Sequence, residues 1–398
     1  MEIRFARRMS RMQPSSIREI LKVTENPDII SFAGGLPAAE LFPVEDIRHA
    51  ADRVLSELGS RALQYGVTEG IPPLRDHIAT EMAVRGVSCA ADDVLVTTGS
   101  QQSLDLLGKI FLDPDSVVLT ENPTYLAAIQ SFQCFEARFV AAPTDDDGID
   151  PEAVDELASR VKPRFLYVIP NFQNPTGRTL SASRRRALYE VACKRDLIIV
   201  EDDPYGKLRY RGSTVPPIKS FDEEGRVIYL STFSKTVAPG FRTGWAVASK
   251  NIREKLVVAK QAADLHTSSL DQLVLARYLS DFDNPKHVER VRTAYGERYA
   301  VMEAALAANM PPAYRWTKPD GGMFLWLTGP EGLDSAALLK EALAMKVAFV
   351  PGADFFPDGS GHECMRLNFS NSAPDLIREG VTRLSALCAR HAEKAVAL

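Results

Sequence analysis

The 398-residue sequence lacks the features that mark several classes of protein. No apolar run reaches the roughly 18 residues that a membrane-spanning helix requires. Lysine and arginine number 47 against 52 acidic residues, so the net charge is −5 and there is no basic excess to neutralise a nucleic-acid backbone. These absences predict a protein with neither a membrane span nor a nucleic-acid partner.

Cysteine is also scarce, and its five occurrences are scattered without a CxxC pair. No HExxH motif is present, so we expect neither a disulfide framework nor a metal site. The N-terminus is basic but lacks the apolar segment of a secretory signal, and Glu2 argues against an organellar transit peptide. We therefore expect a cytoplasmic protein.

The hydrophobic content of 45% and charged content of 25% are typical of a globular protein, and the length suits two to three domains. Short, nearly continuous apolar runs alternate with helix-like segments, as strands of a parallel sheet covered on both faces do. This pattern predicts an α/β fold with a mostly parallel central sheet. The predicted strands are Val94–Val96, Val117–Leu119, Phe165–Ile169, Leu197–Val200, Val227–Leu230 and Trp245–Ala248.

The pattern changes after about residue 250, where long helical segments precede two strand-like runs. We predict a smaller α+β domain at this end, with a boundary at the turn that begins at Asp283. The predicted division is an N-terminal arm over residues 1–45, a large domain over 46–285 and a small domain over 286–398. The arm contains a predicted helix, Ser15–Lys22, and is expected to pack on the small domain or on a partner subunit.

Side chains that bind polar ligands concentrate after five of the predicted strands. The carboxyl ends of strands in an open α/β sheet form the edge where ligands bind, so these segments predict one binding site. They are Thr97–Gln101, Asn122–Tyr125, Asn171–Gly177, Glu201–Tyr205 and Ser231–Lys235.

The residue types in these segments suggest parts of one ligand. Ser100 and Gln101 follow a glycine that opens a helix, an arrangement that suits a phosphate, and Ser234 and Arg242 offer further phosphate donors. Lys235 lies in an uncharged run, where a desolvated amine is a nucleophile.

Other side chains of the same segments suit an aromatic ring with polar substituents. Asp202, with Asp203 as a rival, would pair with a ring N–H, while Asn174 and Tyr205 would donate to a phenolate and Tyr125 would stack. A ligand with a phosphate, a pyridine ring, a phenolate and an aldehyde is pyridoxal 5′-phosphate (PLP).

The order of these motifs resembles fold-type I PLP enzymes, and most closely class I aminotransferases of the 2-aminoadipate/kynurenine group. The resemblance rests on Ser234-Lys235 followed by Arg242-Thr243-Gly244-Trp245, on Asn174-Pro175-Thr176-Gly177 and on Asp202-Asp203-Pro204-Tyr205. It extends from the Gly34-Gly35-Leu36-Pro37 loop to the strand-like run that contains Arg366.

The resemblance implies a role for each matched residue. Lys235 would carry PLP on its amine and serve as the catalytic base, with Asp202 and Tyr205 as its catalytic partners. Arg366, Asn174 and Gly35 would bind the substrate. The implied cofactor-binding residues are Ser100, Gln101, Tyr125, Asn174, Asp202, Tyr205, Thr232, Ser234, Lys235, Arg242 and, from a partner subunit, Tyr65.

The implied reaction is ping-pong transfer of an amino group from an L-amino acid to a 2-oxo acid such as 2-oxoglutarate, in a homodimer with shared active sites. Arg18 resembles the arginine of a mobile N-terminal helix that meets a distal carboxylate, which implies 2-aminoadipate or glutamate as substrate, with leucine, aromatic amino acids or kynurenine also accepted. A solvent-exposed helical arginine is the competing interpretation of Arg18. A C–S β-lyase, a decarboxylase and a non-catalytic PLP-domain regulator remain alternatives.

Overall fold

The computed structural model describes residues 3–12, 16–24 and 26–396. Ser15, the first residue of the helix predicted in the arm, lies outside the described residues. The helices are α1 (Ser16–Val23), α2 (Val44–Leu58), α3 (Pro72–Val84), α4 (Gly99–Phe111), α5 (Leu126–Gln133), α6 (Pro151–Val161), α7 (Ala182–Arg195), α8 (Lys250–Ala263), α9 (Ser269–Asp281), α10 (Asn284–Asn309), α11 (Ser335–Ala344) and α12 (Pro374–Val396).

The strands are β1 (Ile30–Ser31), β2 (Val94–Thr97), β3 (Val117–Glu121), β4 (Arg138–Ala142), β5 (Thr144–Asp145), β6 (Gly148–Ile149), β7 (Phe165–Val168), β8 (Ile198–Asp202), β9 (Val227–Thr232), β10 (Gly244–Val247), β11 (Arg315–Trp316), β12 (Phe324–Thr328), β13 (Val347–Ala348), β14 (Val350–Pro351) and β15 (Cys364–Asn368). No helix in the described part of the chain is both long and apolar enough to cross a membrane.

The large sheet has the strand order β2-β10-β9-β8-β7-β3-β4 across the described residues. The strands from β9 to β4 pair in parallel, while β10 pairs antiparallel with both β9 and β2. Strand β2 therefore runs in the same direction as β9, so every strand of this sheet except β10 ends at one edge. That edge carries Thr97, Glu121, Ala142, Val168, Asp202 and Thr232 as the last strand residues.

The prediction that Trp245–Ala248 is a parallel strand was wrong in direction, and the strand is Gly244–Val247. All four of its residues are buried, so its apolar run is as continuous as that of its parallel neighbours and carries no information on direction. The reversal has a consequence for the site. Gly244 pairs with Thr232 and Thr97, so the segment leading into β10, with Arg242, joins the edge where the other strands end.

A second sheet, formed by β11, β12, β15 and β14 within the described ranges, is antiparallel. Helices α10 and α12 pack together beside it. Strand β1 pairs in parallel with β13 in a separate two-stranded sheet, and the Phe32 carbonyl accepts from the amide of Asn368 in β15 at 2.7 Å. The chain that follows β1 is thereby fixed against the smaller sheet before it reaches the edge of the large one.

Candidate active site

A cavity of about 800 Å³ opens at the edge of the large sheet where its strands end. Its wall combines residues from the large sheet, the smaller sheet, α1 and the loop after β1. Every site residue predicted from the sequence lines it except Tyr65: Arg18, Gly35, Ser100, Gln101, Tyr125, Asn174, Asp202, Tyr205, Thr232, Ser234, Lys235, Arg242 and Arg366. Side chains separated by up to 348 positions in the sequence thus meet in one space.

Lys235 lies in a short 3₁₀ turn directly after β9, and its amine points into the cavity. The amine donates a hydrogen bond to the Gly35 carbonyl at 2.9 Å. Burial, together with the nearby guanidinium groups of Arg366 and Arg242, lowers the pKa of this lysine to about 8. A lysine with such a pKa is neutral far more often near neutral pH than an ordinary lysine is, as a nucleophilic amine must be.

Asp202 is the last residue of β8 and presents its carboxyl group to the cavity. One carboxyl oxygen, Oδ2, accepts a hydrogen bond from the Tyr167 hydroxyl at 2.7 Å, while Oδ1 is buried with no partner among the described residues. Burial raises the pKa of this carboxyl to about 7. A buried acceptor without a donor is costly, so Asp202 is suited to a ligand that brings an N–H group.

Asp203, the rival by sequence, is already paired. Its carboxylate accepts hydrogen bonds from the Arg85 guanidinium, from the Tyr229 hydroxyl at 3.0 Å and from the Asn171 amide at 3.0 Å. The Arg85 guanidinium and the Asn171 amide hold the pKa of this carboxyl below its usual value despite complete burial. Asp203 also does not line the cavity, so only Asp202 has an oxygen free for a ligand.

Donors for a phosphate gather at one end of the cavity, where α4 begins at Gly99. Gly99 has φ = +71°, and a Cβ at this position would lie 2.5 Å from Arg242 Nη2, so only glycine lets the guanidinium approach the helix N-terminus. Gln101 is oriented by its hydrogen bond to Ser131 Oγ at 2.6 Å. A helix N-terminus beside an arginine fork is a suitable anion site.

The hydroxyl of Thr232 lies 2.9 Å from Ser234 Oγ and 3.0 Å from the Thr243 carbonyl. It therefore orients Ser234 as well as lining the cavity.

Arg366 lies in the middle of β15 and is fully buried. Its guanidinium donates to Asn174 Oδ1 at 2.8 Å and to the Ala33 carbonyl at 2.7 Å, and it stacks 4.3 Å from the ring centre of Phe324. Its Nε is buried without a partner among the described residues. Burial lowers the pKa of Arg366 to about 10, so it stays a cation at neutral pH and can bind a carboxylate.

Tyr205 and Tyr125 line the same cavity, and burial raises the pKa of both phenols. Both are therefore neutral hydrogen-bond donors at physiological pH. Tyr205 packs edge to face with Phe324 at 5.9 Å between ring centres, which fixes the orientation of its ring.

Arg18 and Tyr65 differ from the other predicted site residues. Arg18 lines the cavity from α1 but is exposed, and it makes no ion pair with another residue in the described part of the chain. Tyr65 is 80% exposed and lies outside the cavity, in a separate groove of about 450 Å³, with its ring 5.7 Å from that of His266. One chain alone therefore does not bring Tyr65 to the site.

Sequence reasoning missed several residues of the site. Tyr167, which orients Asp202, lies inside a buried strand and is indistinguishable in sequence from a core residue. Phe324 is the first residue of β12 and belongs to none of the motifs that indicated the site. The apolar wall of the cavity also went unpredicted; it includes Leu21, Leu36, Leu126, Ala127 and Ile169.

The donor set fits PLP. The unpaired Asp202 oxygen suits a pyridinium N–H, the N-terminus of α4 with Arg242 suits the phosphate, and the buried amine of Lys235 suits the aldehyde.

Comparison with known proteins agrees with this donor set. The profile of the family "Aminotransferase class I and II" matches residues 27–384. The chain is 45% identical to an aromatic-amino-acid aminotransferase of Thermococcus litoralis, over 96% of this chain and 93% of that protein. It is 45% identical to a 2-aminoadipate transaminase of Thermus thermophilus, over 96% and 95% of the two chains.

Among solved structures, a kynurenine aminotransferase of Pyrococcus horikoshii superposes with a TM-score of 0.93 at 43% identity, covering 97% of each chain. The β-lyase, decarboxylase and regulator alternatives are not favoured by these matches. The chain belongs to the class I and II aminotransferases and is a PLP-dependent aminotransferase of fold type I.

Proposed function

We propose that this aminotransferase takes its amino group from L-amino acids of two kinds, dicarboxylic ones such as 2-aminoadipate or glutamate, and apolar or aromatic ones such as leucine or kynurenine. A 2-oxo acid such as 2-oxoglutarate would be the acceptor. The observation that carries the proposal is that two guanidinium groups, Arg366 and Arg18, line the cavity that Lys235 enters. Arg366 is buried and oriented, while Arg18 is exposed and unpaired within the described residues.

This arrangement separates two tasks. Arg366, held by Asn174 and by the Ala33 carbonyl, would bind the α-carboxylate that all amino acids share. Arg18 would meet a second carboxylate when the substrate carries one. With an apolar substrate, Leu21, Leu36 and Leu126 offer the side chain an apolar wall.

Bound PLP supplies an aldehyde that takes up the amino group and a ring that accepts the electrons of the Cα–H bond. The proposed role of Lys235 is to hold the cofactor through its amine and, once the substrate amine has taken its place, to carry the Cα proton to the cofactor's C4′ carbon. Asp202 would keep the ring nitrogen protonated, and Asn174 and Tyr205 would donate to the phenolate oxygen. Tyr125 would stack on the ring, and the phosphate would be held by cavity residues Ser100, Gln101, Ser234, Arg242 and Thr232.

Replacing Arg18 with alanine tests the proposed substrate range. We expect kcat/KM for 2-aminoadipate and glutamate to fall by about 10- to 100-fold, because a charge-assisted hydrogen bond contributes about 1.5–3 kcal/mol. The kcat/KM values for leucine and phenylalanine should stay within about twofold of the wild type, because Arg18 is not among the residues proposed to bind the α-carboxylate or the cofactor. The measurement is a single-turnover titration of the PLP-loaded enzyme, following the absorbance of the lysine-bound cofactor.

Lys22→Ala is the matched control for Arg18→Ala. Lys22 is an exposed cation on the same helix, pairs with Glu19 and does not line the cavity. Lys22→Ala should therefore leave kcat/KM unchanged for every amino donor. If Arg18→Ala lowers the rates with every donor equally, or if only apolar donors react with the wild type, the dicarboxylate proposal fails while the aminotransferase activity stands.

We propose further that the enzyme is a homodimer in which Tyr65 completes the phosphate site of the partner subunit. Support comes from the exposed apolar side chains beside its groove, since Leu63 is 67% and Val67 54% exposed. The loop that carries His266 forms the other wall of the groove.

Tyr65→Phe should weaken PLP binding by about 10- to 100-fold through loss of one charge-assisted hydrogen bond. Equilibrium dialysis of the apo-enzyme against PLP gives the dissociation constant. A mixed dimer of Tyr65→Ala and Lys235→Ala chains should regain activity, because one of its two sites then has both residues. A mixed dimer as inactive as both parents would contradict the shared site.

The proposed domain division keeps residues 1–45, 46–285 and 286–398 as arm, large domain and small domain. In support, strands β2 to β10 lie between residues 94 and 247, and β11 to β15 lie between 315 and 368. Helix α10 begins at the predicted boundary, where the Asp283 side chain accepts from the Lys286 amide.

The cytoplasm remains the proposed location, supported by five cysteines that are all unpaired thiols.

A further inference from the structure

Behind the loop that carries Asn174 lies a buried guanidinium that the proposed chemistry does not use. Arg185, in the first turns of α7, has no exposed surface. Within the described residues it forms no ion pair with a carboxylate, although burial of a cation is costly without one. Burial lowers its pKa to about 10, so it is still charged at neutral pH. The carboxylates of Glu201 and Asp203 lie near enough to raise this pKa but form no ion pair with Arg185, so its direct contacts require an explanation.

All five N–H groups of Arg185 donate hydrogen bonds, and two of them reach both ends of one loop. Nε donates to the Leu180 carbonyl at 3.0 Å, and Nη2 donates to the Pro170 carbonyl at 2.9 Å. Nη2 also donates to Asn171 Oδ1 at 2.7 Å. Nη1 donates to the Pro216 carbonyl at 2.9 Å and the Val215 carbonyl at 3.3 Å, which fixes the guanidinium to a further segment.

The loop between Pro170 and Leu180 is internally rigid. The Leu180 amide donates to the Pro170 carbonyl at 2.9 Å, and the Gln173 amide donates to the Arg178 carbonyl at 2.8 Å. The Gln173 side chain donates to the Pro123 carbonyl at 2.7 Å. A movement at the base of such a loop is passed to Asn174 at its tip rather than absorbed between them.

A second connection leads from Arg185 to the end of β8. Asn171, which accepts from Arg185, donates through its amide to Asp203 at 3.0 Å. Asp203 does not line the cavity itself but directly follows Asp202, the carboxyl group proposed to pair with the ring nitrogen. Arg185 therefore contacts the segments that position Asn174 and Asp202, and it contacts neither of these two residues directly.

We infer that Arg185 is a positioning residue for the cofactor and substrate site, acting through the Pro170–Leu180 loop to place Asn174. The inference rests on the proposed function for the role of Asn174 itself. Lysine cannot replace this arginine, because it has three donors on one atom against five acceptors spread around a planar fork.

The test is a double-mutant cycle on the PLP dissociation constant of the apo-enzyme, with wild type, Asn174→Ala, Arg185→Lys and the double variant. We expect Arg185→Lys to weaken PLP binding by about 5- to 30-fold, the effect of one or two hydrogen bonds. If Arg185 acts through Asn174, the double variant should bind PLP no more weakly than Asn174→Ala alone, within about twofold. The KM for the amino donor should follow the same non-additive pattern.

Arg184→Lys is the matched control, because Arg184 is the preceding residue of α7 but pairs with the exposed Asp145 and not with the loop. It should leave the PLP dissociation constant unchanged. Effects of Arg185→Lys and Asn174→Ala that multiply would overturn the inference, since they would show that Arg185 acts only through general stability. An effect of Asn174→Ala with none of Arg185→Lys would also overturn it.

Two further outcomes are distinguishable. If Asn174→Ala itself leaves PLP binding and KM unchanged, the proposed role of Asn174 fails, and the inference with it. If Arg185→Lys does not fold, Asn171→Ala takes its place in the cycle, because it removes the acceptor of one Arg185 hydrogen bond and leaves the guanidinium present. Multiplicative effects of Asn171→Ala and Asn174→Ala would then overturn the inference.

Discussion

Replacing Lys235 with alanine should lower turnover by at least about 10⁴-fold, the upper range for loss of a positioned proton-transfer group. The amine proposed to hold the cofactor and to carry the Cα proton is lost in one change. Among the described residues, the other cations that line the cavity are arginines, which stay protonated at all relevant pH values and so offer no neutral amine in its place. The measurements are steady-state transamination and the absorbance spectrum of the variant reconstituted with PLP.

Lys260 provides an internal control for this prediction. Lys260 is fully buried, and its amine is held by the Asp264 carboxylate at 2.9 Å and by Gln102 Oε1 at 2.6 Å. Reduction of the loaded wild type with borohydride should fix the cofactor on the peptide that contains Lys235 and leave the Lys260 peptide unlabelled. Label on any other lysine, or normal turnover by Lys235→Ala, would contradict the assignment.

The comparison of these two lysines shows what the sequence could predict. Lys235 was identified because it directly follows a strand whose end must lie at the ligand-binding edge of the sheet. The same rule identified Asp202, Asn174 and Ser100, and it succeeds because strand direction is shared within a parallel sheet. Lys260 lies within a helix, where an amphipathic pattern gives no sign that a lysine is buried.

Pairings across the fold could not be predicted. The choice between Asp202 and Asp203 depends on Arg85, which is 118 positions from Asp203 in the sequence. The hydrogen bond from Tyr167 to Asp202 joins two neighbouring strands whose register no local pattern specifies. Contacts of this kind depend on the assembled tertiary structure, so local sequence left both carboxylates as candidates.

The failure to predict the direction of β10 had a different cause. Residues 244–247 are buried on both faces, and burial is the only property that their apolar run reports. What distinguishes an antiparallel strand here is the short connection from β9 through residues 233–243, which is too short for the helix that a parallel crossover usually contains. That connection length was visible in the sequence and favoured the reversal.

Asp202→Asn should lower turnover by roughly 10²- to 10⁴-fold, because the ring nitrogen loses its anionic partner, and removing one member of a buried ion pair costs about 3–5 kcal/mol. The asparagine preserves the size of the side chain and its hydrogen bond with Tyr167, so the loss reports charge rather than packing. The measurement is the single-turnover rate with an amino donor at saturating PLP.

Asp203→Asn is the matched control and should behave in the opposite way. It leaves the Arg85 guanidinium without its carboxylate, so we expect a loss of unfolding free energy of about 3–5 kcal/mol and a much smaller loss of single-turnover rate in the folded enzyme. A larger rate loss with Asp203→Asn than with Asp202→Asn would show that the roles of the two carboxyl groups are reversed.

The apo-enzyme gives an independent test of the charge on Asp202. Its folded-state pKa of about 7 lies above the ordinary 3.8, so the folded protein binds the proton more tightly than the unfolded chain. This carboxyl group therefore lowers the unfolding free energy progressively as pH rises from about 4 to 7, and above 7 the full cost is present. Asp202→Asn should then raise the melting temperature of the apo-enzyme at pH 8 and change it little near pH 4. PLP should reverse the order at pH 8, because only the wild-type carboxylate gains a pyridinium partner.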